Sequence, residues 1–89
     1  MKVIFLNSFK KDLKKIKSNS LKSKIKDVII DIEKAGDLKS IKNSKRLAGN
    51  STAYRIRTGN YRLGYYYEND TVELARFLKR NDIYKVFPK

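Results

Sequence analysis

The sequence contains no cysteine and no histidine. The first absence removes disulfides, thiolate nucleophiles and cysteine-based metal sites together. The second removes the common zinc sites, imidazole general bases and Ser-His-Asp arrangements. Acid–base chemistry is left to Lys, Tyr, Asp, Glu or the substrate itself. No cluster suited to holding a metal or organic cofactor is visible, so none is expected. Proline occurs once, at Pro88, where it interrupts no element. Long apolar runs are missing too. Residues 2–6 form the apolar start, too short for a signal sequence or a membrane span. A cytoplasmic protein without membrane contact is expected.

Acidic residues are also scarce. Nine Asp and Glu stand against 22 Lys and Arg, a formal net charge of +13 on 89 residues. Hydrophobic residues make up 40%, which suits a globular chain rather than a disordered basic tail. The length suits one domain, residues 1–89. Such an imbalance points to a polyanion, an acidic protein partner or both. A lysine coat that serves only solubility is the plain alternative.

The periodicity gives an order of elements. Residues 2–6 suit a short strand. Asn7 and Ser8 are each able to cap a helix. Phe9, Leu13 and Ile16 then follow helical spacing, with Lys10, Lys11, Lys14, Lys15 and Lys17 on the other face. Ser18-Asn19-Ser20 marks a turn. A second helix carries Leu21, Ile25, Val28, Ile29 and Ile32 on one stripe, with Gly36 placed as its stop. Residues 37–50 lack a clear period and read as a connection. The sheet is expected to begin after it, with strands over residues 53–57, 61–68 and 71–78. Thr58-Gly59-Asn60 and Asn69-Asp70 are the turns of this antiparallel meander.

The cations divide by type. All six arginines lie between positions 46 and 80, and the first 45 residues carry lysine alone. Lysine is a mobile point charge, whereas the guanidinium fork grips phosphate with two bonds. The first half therefore reads as scaffold and the second as binding surface. Alternation puts Arg55 and Arg57 on one face, opposite Tyr54 and Ile56. It puts Arg62, Gly64 and Tyr66 opposite Tyr61, Leu63, Tyr65 and Tyr67. With the Ile56/Leu63 side on the helices, Arg55, Arg57 and Arg62 form a basic patch that Arg80 completes. The tyrosines supply stacking surfaces for bases, although Tyr65 and Tyr67 suit the core better. The third strand breaks phase near Ala75. Either a bulge there or a sheet covered on both faces accounts for it.

The order of elements, with Lys45-Arg46-Leu47-Ala48-Gly49, Tyr54-Arg55-Ile56-Arg57, Gly59-Asn60-Tyr61-Arg62-Leu63 and Lys79-Arg80-Asn81-Asp82-Ile83-Tyr84, resembles the RelE/ParE superfamily of toxins. The resemblance implies an α+β fold: an N-terminal strand, a helical hairpin on an antiparallel sheet, and a short C-terminal helix. It implies a metal-independent endoribonuclease that enters the ribosomal A site and cuts mRNA by attack of a 2′-hydroxyl on the adjacent phosphate. On that basis Arg55, Arg57, Arg62, Arg80 and Tyr84 are the expected catalytic residues. Lys45, Arg46 and Lys79 are the expected RNA-binding residues. Arg62 and Arg80 suit transition-state charge stabilisation. Some members have lysine where Arg55 and Arg57 stand, and arginine cannot act as a base. Tyr84 is the first candidate for that role and Lys79 the second. The implied partners are an acidic cognate antitoxin, the ribosome with its mRNA, and operator DNA only through the antitoxin. A gyrase-directed ParE-like inhibitor and a non-catalytic RNA-binding module are the alternatives.

Overall fold

A computed structural model describes residues 1–88. The elements run β1 (Lys2–Phe5), α1 (Asn7–Lys14), α2 (Asn19–Lys34), a 3-10 turn at Leu38–Ser40, β2 (Ser44–Arg46), β3 (Ala53–Thr58), β4 (Tyr61–Glu68), β5 (Thr71–Lys79) and α3 (Arg80–Val86). They build a five-stranded sheet in the order β1-β5-β4-β3-β2. Strands β2 to β5 pair antiparallel, and β1 joins β5 parallel, so the sheet is mixed.

Both tight turns of the meander follow their residues. Gly59 has φ 59° in the two-residue link between β3 and β4. Asn69 and Asp70 have φ 52° and 59° in the link between β4 and β5. Left-handed backbone at these positions matches the right-handed twist of the flanking strands. The phase break in β5 has two causes. Gly64 pairs with Arg76 and Tyr65 with Leu74, which leaves Ala75 as an extra residue in the ladder. The sheet is also covered on both faces. On one, Phe9, Ile25 and Ile32 of the helices meet Ile56, Leu63, Tyr65 and Phe77. On the other, Ile83 and Phe87 meet Ala53 and Ala75.

Three local expectations change. The antiparallel part of the sheet begins at Ser44 rather than after Gly49, because Ser44–Arg46 pairs with β3 as an edge strand. Helix α2 ends at Lys34 with Ala35 in extended backbone, and Gly36 is not left-handed. Neither Asn7 nor Ser8 caps α1, whose N-cap position is Leu6. Ser18 does cap α2, its hydroxyl accepting from the Leu21 amide at 3.2 Å.

The work of Ser8 lies elsewhere. Strand β1 covers the edge of β5 only as far as Leu74, whose carbonyl accepts from the Leu6 amide at 3.0 Å. Beyond it, α1 satisfies the edge with side chains. The Ser8 hydroxyl donates to the Ala75 carbonyl at 2.6 Å. The Asp12 carboxylate accepts from the Phe77 amide at 2.9 Å. It also accepts from Arg76 Nε at 2.8 Å and Nη2 at 3.1 Å. A sheet edge that would otherwise bury unpaired backbone groups is thereby closed by two α1 side chains.

Candidate nucleic-acid interface

Cross-strand register decides which cations share a surface. Lys45 lies opposite Arg55, and Arg57 lies opposite Arg62. Directly paired residues point to the same side of a sheet, so these four occupy one face. Arg46 does not join them. It pairs with Tyr54 and therefore belongs to the helix-covered side, which corrects its expected grouping with Lys45.

Arg62 differs from the exposed patch residue that alternation suggests. It is only 8% exposed. Its Nη1 donates to the carbonyls of Gly59 at 2.7 Å and Tyr61 at 2.8 Å. These contacts fix the guanidinium against the β3–β4 turn and leave Nε and Nη2 without a partner among the described residues, still open to solvent. Arg57 is exposed. Arg55 is half-buried, with one long contact of 3.5 Å from Nη1 to the Asn43 carbonyl.

Arg80 opens α3. Its amide donates to the Asn60 carbonyl at 2.9 Å, tying the helix start to the same turn that holds Arg62. Tyr84 follows four residues later, on the Arg80 side of the helix, and is 49% exposed. The opposite side of α3 docks through Ile83, which is fully buried. Phe87 follows against Gly64, where an added Cβ would stand 2.7 Å from the Phe87 ring. Glycine at that position therefore sets how closely α3 approaches the sheet. Lys79 pairs with Tyr61 at the strand end, on the helix-covered side of the register.

Arg62, Lys79 and Arg80 meet Gly59, Asn60, Tyr61 and Asn81 around a cleft of about 410 Å³ at this end of the sheet. Among the described residues, no carboxylate lines it. A larger concavity, about 490 Å³, lies between the helices and β1 and is walled by Phe5, Leu13, Ile25 and Ile29. It is apolar and contains none of the expected site residues.

Among the described residues the one salt bridge is Arg76 to Asp12. Arg76 is thus consumed by the fold, while the cations at the β3–β4 surface are left without acidic partners. The described residues hold no group of three or more acidic, His or Cys side chains able to bind a metal. No described helix is long and apolar enough to cross a membrane. Sequence reasoning missed Asp12, Asn60 and Asn81. A signal for Asp12 was present, because position 12 falls with Phe9, Leu13 and Ile16 on the apolar stripe of α1.

Comparison with known proteins agrees with this architecture. Residues 3–84 match the family model described as ParE toxin of type II toxin-antitoxin system, parDE. Toxin RelE3 of Methanocaldococcus jannaschii is 38% identical over 89 residues, covering 99% of this chain and 100% of that protein. The crystal structure of a RelB-RelE antitoxin-toxin complex from Methanococcus jannaschii superposes with a TM-score of 0.80 at 35% identity, covering 96% of this chain and 99% of that one. The isolated RelE toxin of E. coli shares the fold, with a TM-score of 0.64 at 20% identity over 94% of this chain and 90% of that one. The chain belongs to the RelE/ParE superfamily and is a RelE-like toxin of a type II toxin–antitoxin system.

Proposed function

We propose that this toxin is a ribosome-dependent mRNA endonuclease. The observation that carries the reading is the pair of like-charge contacts, Lys45 opposite Arg55 and Arg57 opposite Arg62, on one face with no salt bridge to any of the four among the described residues. Like charges placed directly opposite destabilise a sheet. Such a surface is suited to a ligand that brings several negative charges, as a ribonucleotide strand does.

The chemistry asks little beyond positioning and charge. The 2′-hydroxyl of one nucleotide gives its proton to a base and attacks the adjacent phosphorus, and the bond to the 5′-oxygen of the next breaks, that oxygen taking a proton from solvent. The products are a 2′,3′-cyclic phosphate and a 5′-hydroxyl. Negative charge grows on the phosphate oxygens, and preorganised donors stabilise it. Arg62, held by two carbonyls with other N–H groups free, is such a donor. Arg80, anchored through its amide to Asn60, is the second. Arg55 and Arg57 guide the strand, Lys45 extends its track, and Lys79 stands at the cleft. Neither arginine of the pair accepts a proton at neutral pH. Tyr84, exposed on the Arg80 side of α3, is the proposed base, with Lys79 second. Arg46, on the other side of the sheet, has a peripheral part in RNA binding at most.

A net charge of +13 suits an acidic cognate antitoxin and the ribosomal A site, both in the cytoplasm. Operator DNA is reached through the antitoxin. A second reading has one observation in its favour, the ParE description of the matching family model. It makes the protein an inhibitor of DNA gyrase. Expression in a bacterium, with message ends mapped and supercoiling assayed in parallel, separates the two. New 5′ ends within translated codons, lost in Arg80→Ala, support cleavage. Blocked supercoiling with intact messages supports the gyrase reading. Neither effect leaves a non-catalytic RNA-binding module.

A further inference from the structure

The cleft at the end of the sheet carries more than cations. Two carboxamides, Asn60 and Asn81, stand on its wall beside Arg62 and Arg80. Neither side chain hydrogen-bonds to another described residue, whereas that of Asn50 does. Asn43 and Asn69 adopt left-handed backbone, with φ of 61° and 52°, which asparagine tolerates. The Asn50 Oδ1 accepts from the Thr52 and Ala53 amides and shapes its own loop. Asn60 has no left-handed φ, and Asn81 lies in the first turn of α3.

The backbone beneath Asn60 is also immobilised. The carbonyls of Gly59 and Tyr61 accept from Arg62, and its own carbonyl accepts from the Arg80 amide. Tyr61 is fixed by stacking on Phe77, with ring centroids 5.0 Å apart. The result is a polar recess over a fixed backbone, with amide donors and acceptors unpaired among the described residues and cations beside them. A carboxamide offers a donor beside an acceptor, which matches the edge of a nucleobase. Unpaired bases expose such edges.

We propose that this recess is a nucleobase subsite. An unpaired base of the strand whose phosphate lies at Arg62 and Arg80 enters it and is read by Asn60 and Asn81. The proposal rests on the RNA reading above and assigns base preference to two residues outside the cationic group.

The test uses the whole protein, isotope-labelled, titrated by NMR with each of the four nucleoside 3′-monophosphates and, separately, with inorganic phosphate and ribose 5-phosphate. The expected result is that the side-chain amide signals of Asn60 and Asn81 shift with nucleotides only, and that the four bases differ in affinity. In Asn60→Ala/Asn81→Ala the nucleotide affinity falls roughly tenfold, toward that of inorganic phosphate, since hydrogen bonds to a base edge contribute on this scale. Asn81→Ala alone, at an exposed helix position, gives part of the loss even if the turn variant proves unstable. Equal affinity for nucleotides and ribose 5-phosphate overturns the subsite. So does a double variant that keeps its discrimination among bases. Because no ribosome is present, absence of mRNA cleavage by the protein leaves this outcome intact, and the two readings fail separately.

Discussion

Replacing Asp12 with alanine perturbs the fold at the seam between α1 and the sheet. Asp12 is 3% exposed, and its carboxylate accepts three hydrogen bonds, two from Arg76 and one from the Phe77 amide. Removing it leaves a cation with 22% side-chain exposure and a buried amide with no partner. Breaking a buried ion pair from one side costs about 3–5 kcal/mol, and an orphaned buried donor about 1–3 kcal/mol. These costs overlap, and the partial exposure of Arg76 lowers the first, so about 3–4 kcal/mol is expected. That is a large share of the roughly 5–15 kcal/mol typical of a small domain. Urea denaturation of the wild type, Asp12→Ala, Arg76→Ala and the double variant gives the value and the coupling. The double variant should be less destabilised than the two single losses added together, because the orphaned amide is then its main cost. A loss under about 1 kcal/mol in Asp12→Ala, or strict additivity in the cycle, refutes the claim that α1 closes the sheet edge through this carboxylate.

Two other perturbations probe the opposite face and the core. Gly64→Ala sets a methyl group against the Phe87 ring and should loosen α3, at about 1–3 kcal/mol, with reduced RNA cleavage because Arg80 and Tyr84 ride on that helix; unchanged melting and activity would contradict the docking. Tyr65 is fully buried, its hydroxyl lies 2.6 Å from the Ser44 hydroxyl, and burial raises its pKa to about 12. The folded state then holds the phenolic proton more tightly than the unfolded chain. Stability from this group is complete below pH 10 and is lost as pH rises from about 10 through about 12, by about 2–3 kcal/mol. Subtracting the pH profile of Tyr65→Phe from that of the wild type isolates this slope from the lysines, and a flat difference would show that Tyr65 is not held neutral by burial.

Much of this arrangement is written in period and turn chemistry. The stripes of Phe9, Leu13 and Ile16 and of Ile25 and Ile32 need no tertiary information to be seen. Asn69-Asp70 and Gly59 announce hairpins because few other residues tolerate their backbone. Strand β2 is hidden because three residues carry no period, and its pairing with β3 depends on a contact that local sequence does not encode. Asp12 reads as one more charge on a charged helix until the edge of β5 shows why a carboxylate belongs on the apolar stripe. The cationic face was legible as a group. Its internal differences were not, since the burial of Arg62 depends on the carbonyls of a turn and the separation of Arg46 depends on register. Asn60 and Asn81 give no signal by themselves, and they gain meaning only when the β3–β4 turn and the start of α3 come together.

The central claim is most directly tested with purified protein, ribosomes programmed with an end-labelled message and an empty A site. The account predicts a cut within the A-site codon, leaving a 2′,3′-cyclic phosphate and a 5′-hydroxyl, without added protein cofactors. It predicts losses of at least about a hundredfold in rate for Arg62→Ala and Arg80→Ala, the scale expected when one donor to developing charge is removed. An intact message under these conditions, or cleavage at full rate in both variants, would contradict it.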